Sequence, residues 1–528
     1  MPATDPARES LARSGSLSLV GSAFAALAAL VVTALVSNTY GPQGTGVFFQ
    51  AVAIFTVASQ VLKLGTNSAL IRFVSARRAR TGDTDAWRIT LVATLPVLLV
   101  SGFAAAVIAL FSHPLADLLA PPDDASRLAA ILVTMAPFIV IGAVLGVLQT
   151  VARLVRGVGA FTVLQSITLP LSRIVVTLAL IALAFSADAA FVGWMAVLPA
   201  WLLVTIIVIA GPLVQDRRRQ RASGTGRAES TTIRAFWSFS APRAVGAALE
   251  TALDWSDVLV VAALTSPAEA GIYAVVTRAV RAGQVIDRAM RIAVSPRISH
   301  LLSLDDRATA TALHTSVTRM LVLLSWPFYL ALAILGPSVL SLFGDGFASG
   351  APALAILAVA MMVSSASGML QSVLLQGGRS SWQMYNKAAV LALNIGLSII
   401  LVPVIGISGA ALSWMACLLL DTALAAWQVH RSMGVRLEPG ALLLGAALPL
   451  SVFGAGCAAL RLITDALPGV APLATLLPGL AVVSLLYIGA VWLLRSRLGL
   501  IPASGLRASA TDQQAQGAHE AAPTGGDR

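Results

Sequence analysis

Apolar residues in this chain neither alternate nor recur once per helical turn; they come in nearly unbroken runs of about 20, the length that crosses a hydrocarbon layer as a helix. Such runs fall near 16–37, 46–72, 88–111, 128–152, 160–184, 190–214 and 236–263. A second series follows near 271–297, 319–343, 351–376, 383–403, 408–429, 440–460 and 470–494. Fourteen transmembrane helices are predicted. Gly and Pro stand between or inside the runs, and none shows the ten-residue alternation of an outer-membrane barrel strand. The predicted class is all-α, a polytopic membrane protein.

Composition agrees with the pattern. Of 528 residues only 11% are charged, against about 25% in a soluble chain, and 57% are hydrophobic, giving a mean hydropathy of +0.86. Cys417 and Cys457 both lie inside apolar runs, and His113, His300, His314, His430 and His519 are scattered. Neither a disulfide framework nor a metal site is expected, and no cofactor.

Charge adds sidedness. One set of loops carries Arg77, Arg78, Arg80 and Arg88, then Arg153 and Arg156, then Arg217, Arg218, Arg219, Arg221, Arg227 and Arg234, and later Arg307, Arg379, Arg431 and Arg436. The alternate set offers only Arg127 and Arg461, with Asp117, Asp123, Asp124, Asp188, Glu269, Asp345 and Asp465. The positive-inside rule then places the first set, and both termini, in the cytoplasm of a cell with this chain in its inner (cytoplasmic) membrane. The net charge of +11 is mostly that signal, so no nucleic-acid partner is implied. Residues 1–15 lack the order of a cleaved signal peptide and read as a cytoplasmic segment. Residues 216–235 read as a basic cytoplasmic linker, and 497–528, rich in Ala, Gly, Ser, Gln and Thr, as a disordered cytoplasmic tail.

An internal repeat organises the helices. Gly46-Val47-Phe48 recurs as Gly271-Ile272-Tyr273 at an offset of 225 (46 to 271), which also pairs Lys63 with Arg288 and Arg72 with Arg297. Trp194-Met195-Ala196 recurs as Trp414-Met415-Ala416 at an offset of 220 (194 to 414). Two pseudo-symmetric six-helix lobes, 16–215 and 236–430, are expected, with 431–496 forming helices 13 and 14 outside the repeat. Six helices per unit keep both units in the same orientation, so the pseudo-two-fold lies along the membrane normal with a cavity between lobes.

Ionisable residues inside a span are costly and mark candidate sites. In helix 7, Arg243, Glu250, Asp254 and Asp257 are spaced 7, 4 and 3 and share one face. In helix 8, Arg278, Arg281, Gln284, Arg288 and Arg291 form a basic stripe with Asp287 at its edge. The short Thr265-Ser266-Pro267 turn makes the two antiparallel, so residues whose numbers sum to about 535 share a depth. Asp254 is then level with Arg281, and Asp257 with Arg278, as ion pairs that neutralise each other and fasten the hairpin. Arg288 and Arg291 have only Glu250 near their level. Lys63 lies deep in helix 2, either cavity-facing or paired with an acid such as Asp421; Arg173 lies near mid-depth in helix 5. Asp421, the lone acid of helix 12, is either a coupling carboxylate or a paired one. Gln149, Gln165, Gln371 and Asn394 read as packing groups. Lys63, Arg173, Arg288 and Arg291 are thus the candidate ligands for an anionic headgroup.

The stretch Thr39-Tyr40-Gly41-Pro42-Gln43-Gly44-Thr45-Gly46 through Leu64-Gly65 to Ile71-Arg72 resembles the opening of polysaccharide (lipid-linked oligosaccharide) flippases in the multidrug/oligosaccharidyl-lipid/polysaccharide exporter superfamily. Asp257-Val258-Leu259 leading to Ala270-Gly271-Ile272-Tyr273 is similar to their second-half opening, and Asn394, Leu401-Val402-Pro403 and Gly406-Ile407-Ser408-Gly409-Ala410-Ala411 to their helix 11–12 junction. The resemblance runs over about residues 16–430. It implies a two-lobed transporter, not an enzyme, that turns undecaprenyl-diphosphate-linked oligosaccharides across the membrane by alternating access for cell-surface polysaccharide assembly. Lys63, Arg288 and the helix 8 arginines would meet the diphosphate, and membrane lipid, a polymerase or a glycosyltransferase would be partners of a monomer.

Rival readings are a lipid II flippase, a cation-coupled multidrug exporter of the same superfamily, a membrane enzyme acting on a polyprenyl-linked sugar, and a non-transporting scaffold. The exporter wants unpaired mid-membrane acids in helices 1–6, which hold none; the enzyme wants acid/base groups over the headgroup, and the longest external loop, 112–127, offers only His113 beside its aspartates. Sidedness is testable by thiol labelling of single-cysteine variants in a background without Cys417 and Cys457. Pro122→Cys should react in intact cells, and Arg221→Cys and Gly434→Cys only after permeabilisation; external labelling at 221 would reverse the assignment.

Overall fold

A computed structural model describes residues 6–81, 86–222, 230–304, 306–376, 380–433, 445–466, 472–495 and 498. The predicted tail 497–528, apart from Leu498, and part of the predicted linker lie outside the described residues, as does position 434. Among the described residues there is no strand, as lipid demands: without water to satisfy backbone N–H and C=O groups, each segment must bond them internally.

The first half comprises α1 (Pro6–Val61), α2 (Thr66–Thr81), α3 (Ala86–Leu110), α4 (Ser112–Leu119), α5 (Pro122–Arg156), α6 (Val158–Ala182) and α7 (Ala187–Ala222). The second comprises α8 (Ser230–Leu264), α9 (Pro267–Ala282), α10 (Gln284–Ser303), α11 (Arg307–Ile334), α12 (Ala351–Ala366), α13 (Leu370–Gln376), α14 (Ser380–Ile405) and α15 (Ile407–Met433). α16 (Gly445–Ala466) and α17 (Pro472–Leu493) follow. Eleven helical stretches are long and apolar enough to cross a membrane. One of them, Leu17–Arg78, has 62 residues, about 90 Å at 1.5 Å each, and must cross twice. α8 and the α9–α10 pair fall short of that limit because of the charges they carry. The helices are consistent with fourteen crossings.

Four predicted spans are corrected. Helix 2 is not continuous over 46–72: α1 ends at Val61 and α2 starts at Thr66, with Leu64 (φ 53°) and Gly65 (φ 69°) both left-handed between them. Helix 8 is interrupted at Gly283, and helix 10 at Gly368 (φ 67°). The ninth crossing occupies Arg307–Ile334 rather than 319–343, because Gly336–Leu340 is a separate short helix after the Gly336-Pro337 break. Hydropathy averaged over a span does not locate these points, since it registers neither a left-handed residue nor a close backbone approach.

The repeat is visible in the packing. One cluster gathers Leu70, Ile89, Val147, Leu213 and Phe236; its counterpart gathers Ile298, Val317, Leu374 and Val429. Apart from Phe236 on α8, these come from the helix 2, 3, 4 and 6 segments of the first half and the corresponding 8, 9, 10 and 12 segments of the second. The halves meet at the repeated glycines. A Cβ on Gly46 would lie 1.6 Å from the Pro267 carbonyl oxygen, and one on Gly271 would lie 2.0 Å from that of Pro42 and 2.7 Å from the Gly46 nitrogen. Such a mutual contact of equivalent residues is what a pseudo-two-fold axis between them produces. α16 and α17 attach to α11: Tyr487 Oη donates to the Leu323 carbonyl at 2.8 Å, and Arg461 Nη1 to that of Ile334 at 2.8 Å.

Since no side chain fits between these backbones, Gly271→Val should force α1 and α9 apart. Overpacking of a tight contact costs about 1–3 kcal/mol, and backbone atoms cannot turn aside as side chains do. A fall in the Tm of the purified protein of several degrees is expected, whereas Gly102→Val, at a site with open space around it, should leave Tm unchanged. Equal Tm values for the two variants would mean the halves do not meet here.

Candidate functional site

α8 presents acids and α10 presents bases, and the interruption at Gly283 sets where the basic face points. Gly283 is a close approach: a Cβ there would lie 2.7 Å from Tyr329 Oη on α11. Beyond it, Asp287, Arg288 and Arg291 face a cavity of about 560 Å³ bounded by α8, α10, α11, α12, α13, α14 and α15. Glu250 and Asp254 line it from α8, Lys387 from α14 and Asp421 from α15. Gln371, Gln383, Trp414 and Thr422 complete its polar wall.

Part of the charge is already paired. Arg281 Nη2 lies 3.8 Å from Asp254 Oδ1 and also donates to the Asp254 carbonyl. Lys387 Nζ lies 2.7 Å from Asp421 Oδ2, with only 11% of the Asp421 side chain exposed. Asp287 and Arg291 are one helical turn apart. Among the described residues, Glu250, Asp287, Arg288 and Arg291 have no ion pair within 4 Å.

Three expectations are corrected. Asp257 is not paired with Arg278, although they share a depth. Three residues on from Asp254, Asp257 is turned about 60° around the helix, and is buried where Tyr273 Oη donates to its Oδ2 at 3.4 Å. Arg278 is turned toward the first half instead. Its guanidinium lies 4.4 Å from the Trp255 ring and 5.2 Å from the Phe49 ring, a cation–π arrangement. Lys63 and Arg173 do not line the cavity with Arg288 and Arg291. Lys63 sits at the α1–α2 interruption, donating to Gln60 Oε1 and pressed against Gly146 of α5, while the Arg173 guanidinium lies 3.5 Å over the Trp194 ring. Finally, the cavity is not the basic site that four candidate cationic ligands implied, for its wall carries Glu250, Asp254, Asp287 and Asp421 against Arg288, Arg291 and Lys387.

Lys387 is the residue that sequence reasoning missed. It stands near the start of the predicted span 383–403. The signal was present: α14 and α15 form a hairpin about Gly406, so residues summing to about 810 share a depth, which pairs 387 with 421 by the rule applied to α8 and α9. The reciprocal Asn386–Gln428 amide pair, 2.9 Å in each direction, sits a turn further along the same seam. No group of three His, Cys, Asp or Glu side chains placed to hold a metal occurs among the described residues.

This architecture belongs to a known class of transporter folds. The structure is similar to a lipid II flippase MurJ in an inward closed conformation, with a TM-score of 0.67 at 12% identity over 91% of this chain and 99% of that one. It is also similar to an inward-facing multidrug resistance MATE family transporter of the MOP superfamily (0.59, 14%, 78% and 94%). A MOP superfamily transporter from Pyrococcus furiosus, described as having a binding pocket of reverse polarity, matches with 0.53 at 15% identity over 80% and 95%. No curated protein matches the chain. The model of the polysaccharide biosynthesis protein family matches residues 11–302, more than half the sequence, and the chain belongs to that family.

The Lys387–Asp421 pair gives a test of the cavity wall. Removing one member of a dry buried pair costs about 3–5 kcal/mol, whereas replacing both by apolar residues is near neutral. Lys387→Met and Asp421→Leu should each lower Tm, and the double variant should recover most of the loss. Additive losses would mean the two charges are not coupled.

Proposed function

We propose that the chain flips an undecaprenyl-diphosphate-linked oligosaccharide across the cytoplasmic membrane by alternating access, with Arg288 and Arg291 holding the diphosphate. The observation that carries this reading is Arg288, a guanidinium without an ion pair that faces an intramembrane cavity in a chain of the polysaccharide biosynthesis family. Arg suits the role because its planar fork binds two phosphate oxygens at once. The Arg-rich loops put the cavity nearer the cytoplasmic face, the side on which such a substrate is assembled. Both termini are read as cytoplasmic and the working unit as a monomer, with polymerase or glycosyltransferase partners on either side of the transport step. Lys63 and Arg173, held by Gln60 and Trp194, are reassigned to the packing of the first half.

A lipid II flippase is the second reading, supported by the similarity to MurJ over 91% of the chain; it needs the same diphosphate contacts. A cation-coupled drug exporter is less well supported, because Lys387 already neutralises Asp421.

In vesicles reconstituted with purified protein, Arg288→Ala should weaken binding of a polyprenyl-diphosphate sugar by about 10- to 100-fold, the worth of one charged hydrogen-bonded contact, with flipping reduced to match. Arg288→Lys should keep part of the activity, since the charge remains and only the fork is lost. Lys63→Ala should lower Tm more than affinity. Flipping by Arg288→Ala at the unmodified rate would place the diphosphate elsewhere.

A further inference from the structure

Beyond Arg288 and Arg291 the cavity wall changes character. Gln371, Gln383, Thr422, the Lys387–Asp421 pair and Trp414 line it. Neither amide atom of Gln371 has a hydrogen-bond partner, and Asp421 Oδ1 has none either. Buried polar atoms are normally satisfied, so three orphans on one wall point to a group that completes them when the site is filled. An amide, a hydroxyl, an already paired charge and an indole match a molecule with hydroxyls around its rim and C–H groups on its ring faces. A hydrocarbon tail would leave the amide unmet, and a second phosphate would confront Asp421. A volume of about 560 Å³ lies within the range of small-molecule sites.

We propose that this part of the cavity is a subsite for the first sugar of the glycan, the one joined to the diphosphate, and that it accepts a neutral or N-acetylated pyranose and rejects a uronic acid. Gln371 and Thr422 meet the ring substituents and Trp414 offers its face to the ring. Rejection of a uronate follows from the charges. Of the wall's four carboxylates, Asp254 is engaged by Arg281 and Asp421 by Lys387; with Arg288 and Arg291 on the diphosphate, a sugar carboxylate finds no free cation and meets Glu250 and Asp287. The inference rests on the diphosphate reading, because the sugar's place is fixed by its bond to the phosphate.

The test uses the full chain in detergent and three short-chain probes: a prenyl diphosphate, the same lipid carrying an N-acetylhexosamine, and the same lipid carrying a hexuronic acid. The N-acetylhexosamine probe should bind about tenfold more tightly than the bare diphosphate, as two added neutral hydrogen bonds would give, and the uronic acid probe no more tightly than the bare lipid. Gln371→Leu and Trp414→Leu should each erase that gain while leaving affinity for the bare diphosphate unchanged; Thr422→Val makes the same comparison if Trp414→Leu does not fold. Arg288→Ala should weaken all three probes. Equal affinity of the wild-type chain for the sugar-bearing and bare lipids would overturn the subsite and leave the diphosphate reading standing. Absence of binding by all three would remove both.

Discussion

Inside a bilayer a helix can be interrupted only where protein or a polar cavity takes over the hydrogen bonds that the interruption frees. The rest of this structure follows from where that happens. At Leu64–Gly65, the freed Leu64 carbonyl accepts from Ser240 Oγ at 2.7 Å, and Gly65 fits against the backbone of α8 so closely that a Cβ would lie 2.4 Å from the Ser240 carbonyl oxygen. At Gly368, the chain rests on Thr318 and His314 of α11. At Gly283, it rests on Phe328 and Tyr329. Two of the three interruptions flank the cavity, and each aims a polar helix start, Gln284 to Arg291 and Leu370 to Ser372, at the same space.

The repeat supplies two equivalent scaffolds, and the cations beside the cavity are held differently from several on the first-half helices, although Arg278 of the second half also lies against rings. In the first, Arg173 lies over Trp194, Arg72 over Phe239, and Lys63 against an amide. In the second, Arg281 and Lys387 have carboxylates. Aromatic faces hold a cation without opposite charge and leave no polar pocket, since the ring itself fills the space. Carboxylate pairs are smaller and attract water and hydrogen-bonding ligands. The repeated tryptophans record the difference: Trp194 is covered by Arg173, whereas Trp414 lines the cavity. The matching position is closed in one half and open in the other.

Much of this was legible in the sequence because the bilayer makes length and hydropathy strict. The helical class, the hairpin depth that pairs Asp254 with Arg281, and the Gly46/Gly271 correspondence were all readable from spacing. Azimuth was not. Depth along a hairpin depends on residue number alone, whereas the direction of Asp257 or Arg278 depends on which neighbour offers a better partner, and Tyr273, Phe49 and Trp255 come from residues up to about 230 positions away. Lys63 and Arg173 were misplaced for a related reason: an unpaired cation in a span was read as free for a ligand, although Gln60, three residues back, holds Lys63 and the Trp194 ring holds Arg173. Lys387 lies near a helix start, where snorkelling is open to a lysine, yet Asp421 holds it inward.

On the proposed role of Arg288 and Arg291, the near balance of charge in the cavity has its own logic. A pocket lined by arginines alone would bind a diphosphate tightly in every state and release it slowly, and a carrier must let go on the far side. Conduction through membrane sites has the same requirement, binding favourable enough to load and weak enough to leave. Asp287, one turn from Arg291, and Glu250 across the cavity are placed to reclaim the guanidinium groups when the lobes move. Exchange of a phosphate partner for a carboxylate partner would then compensate each cation as the substrate leaves, in a state other than this one, where Arg288 is unpaired, and the barrier to release would be set by the exchange rather than by burial.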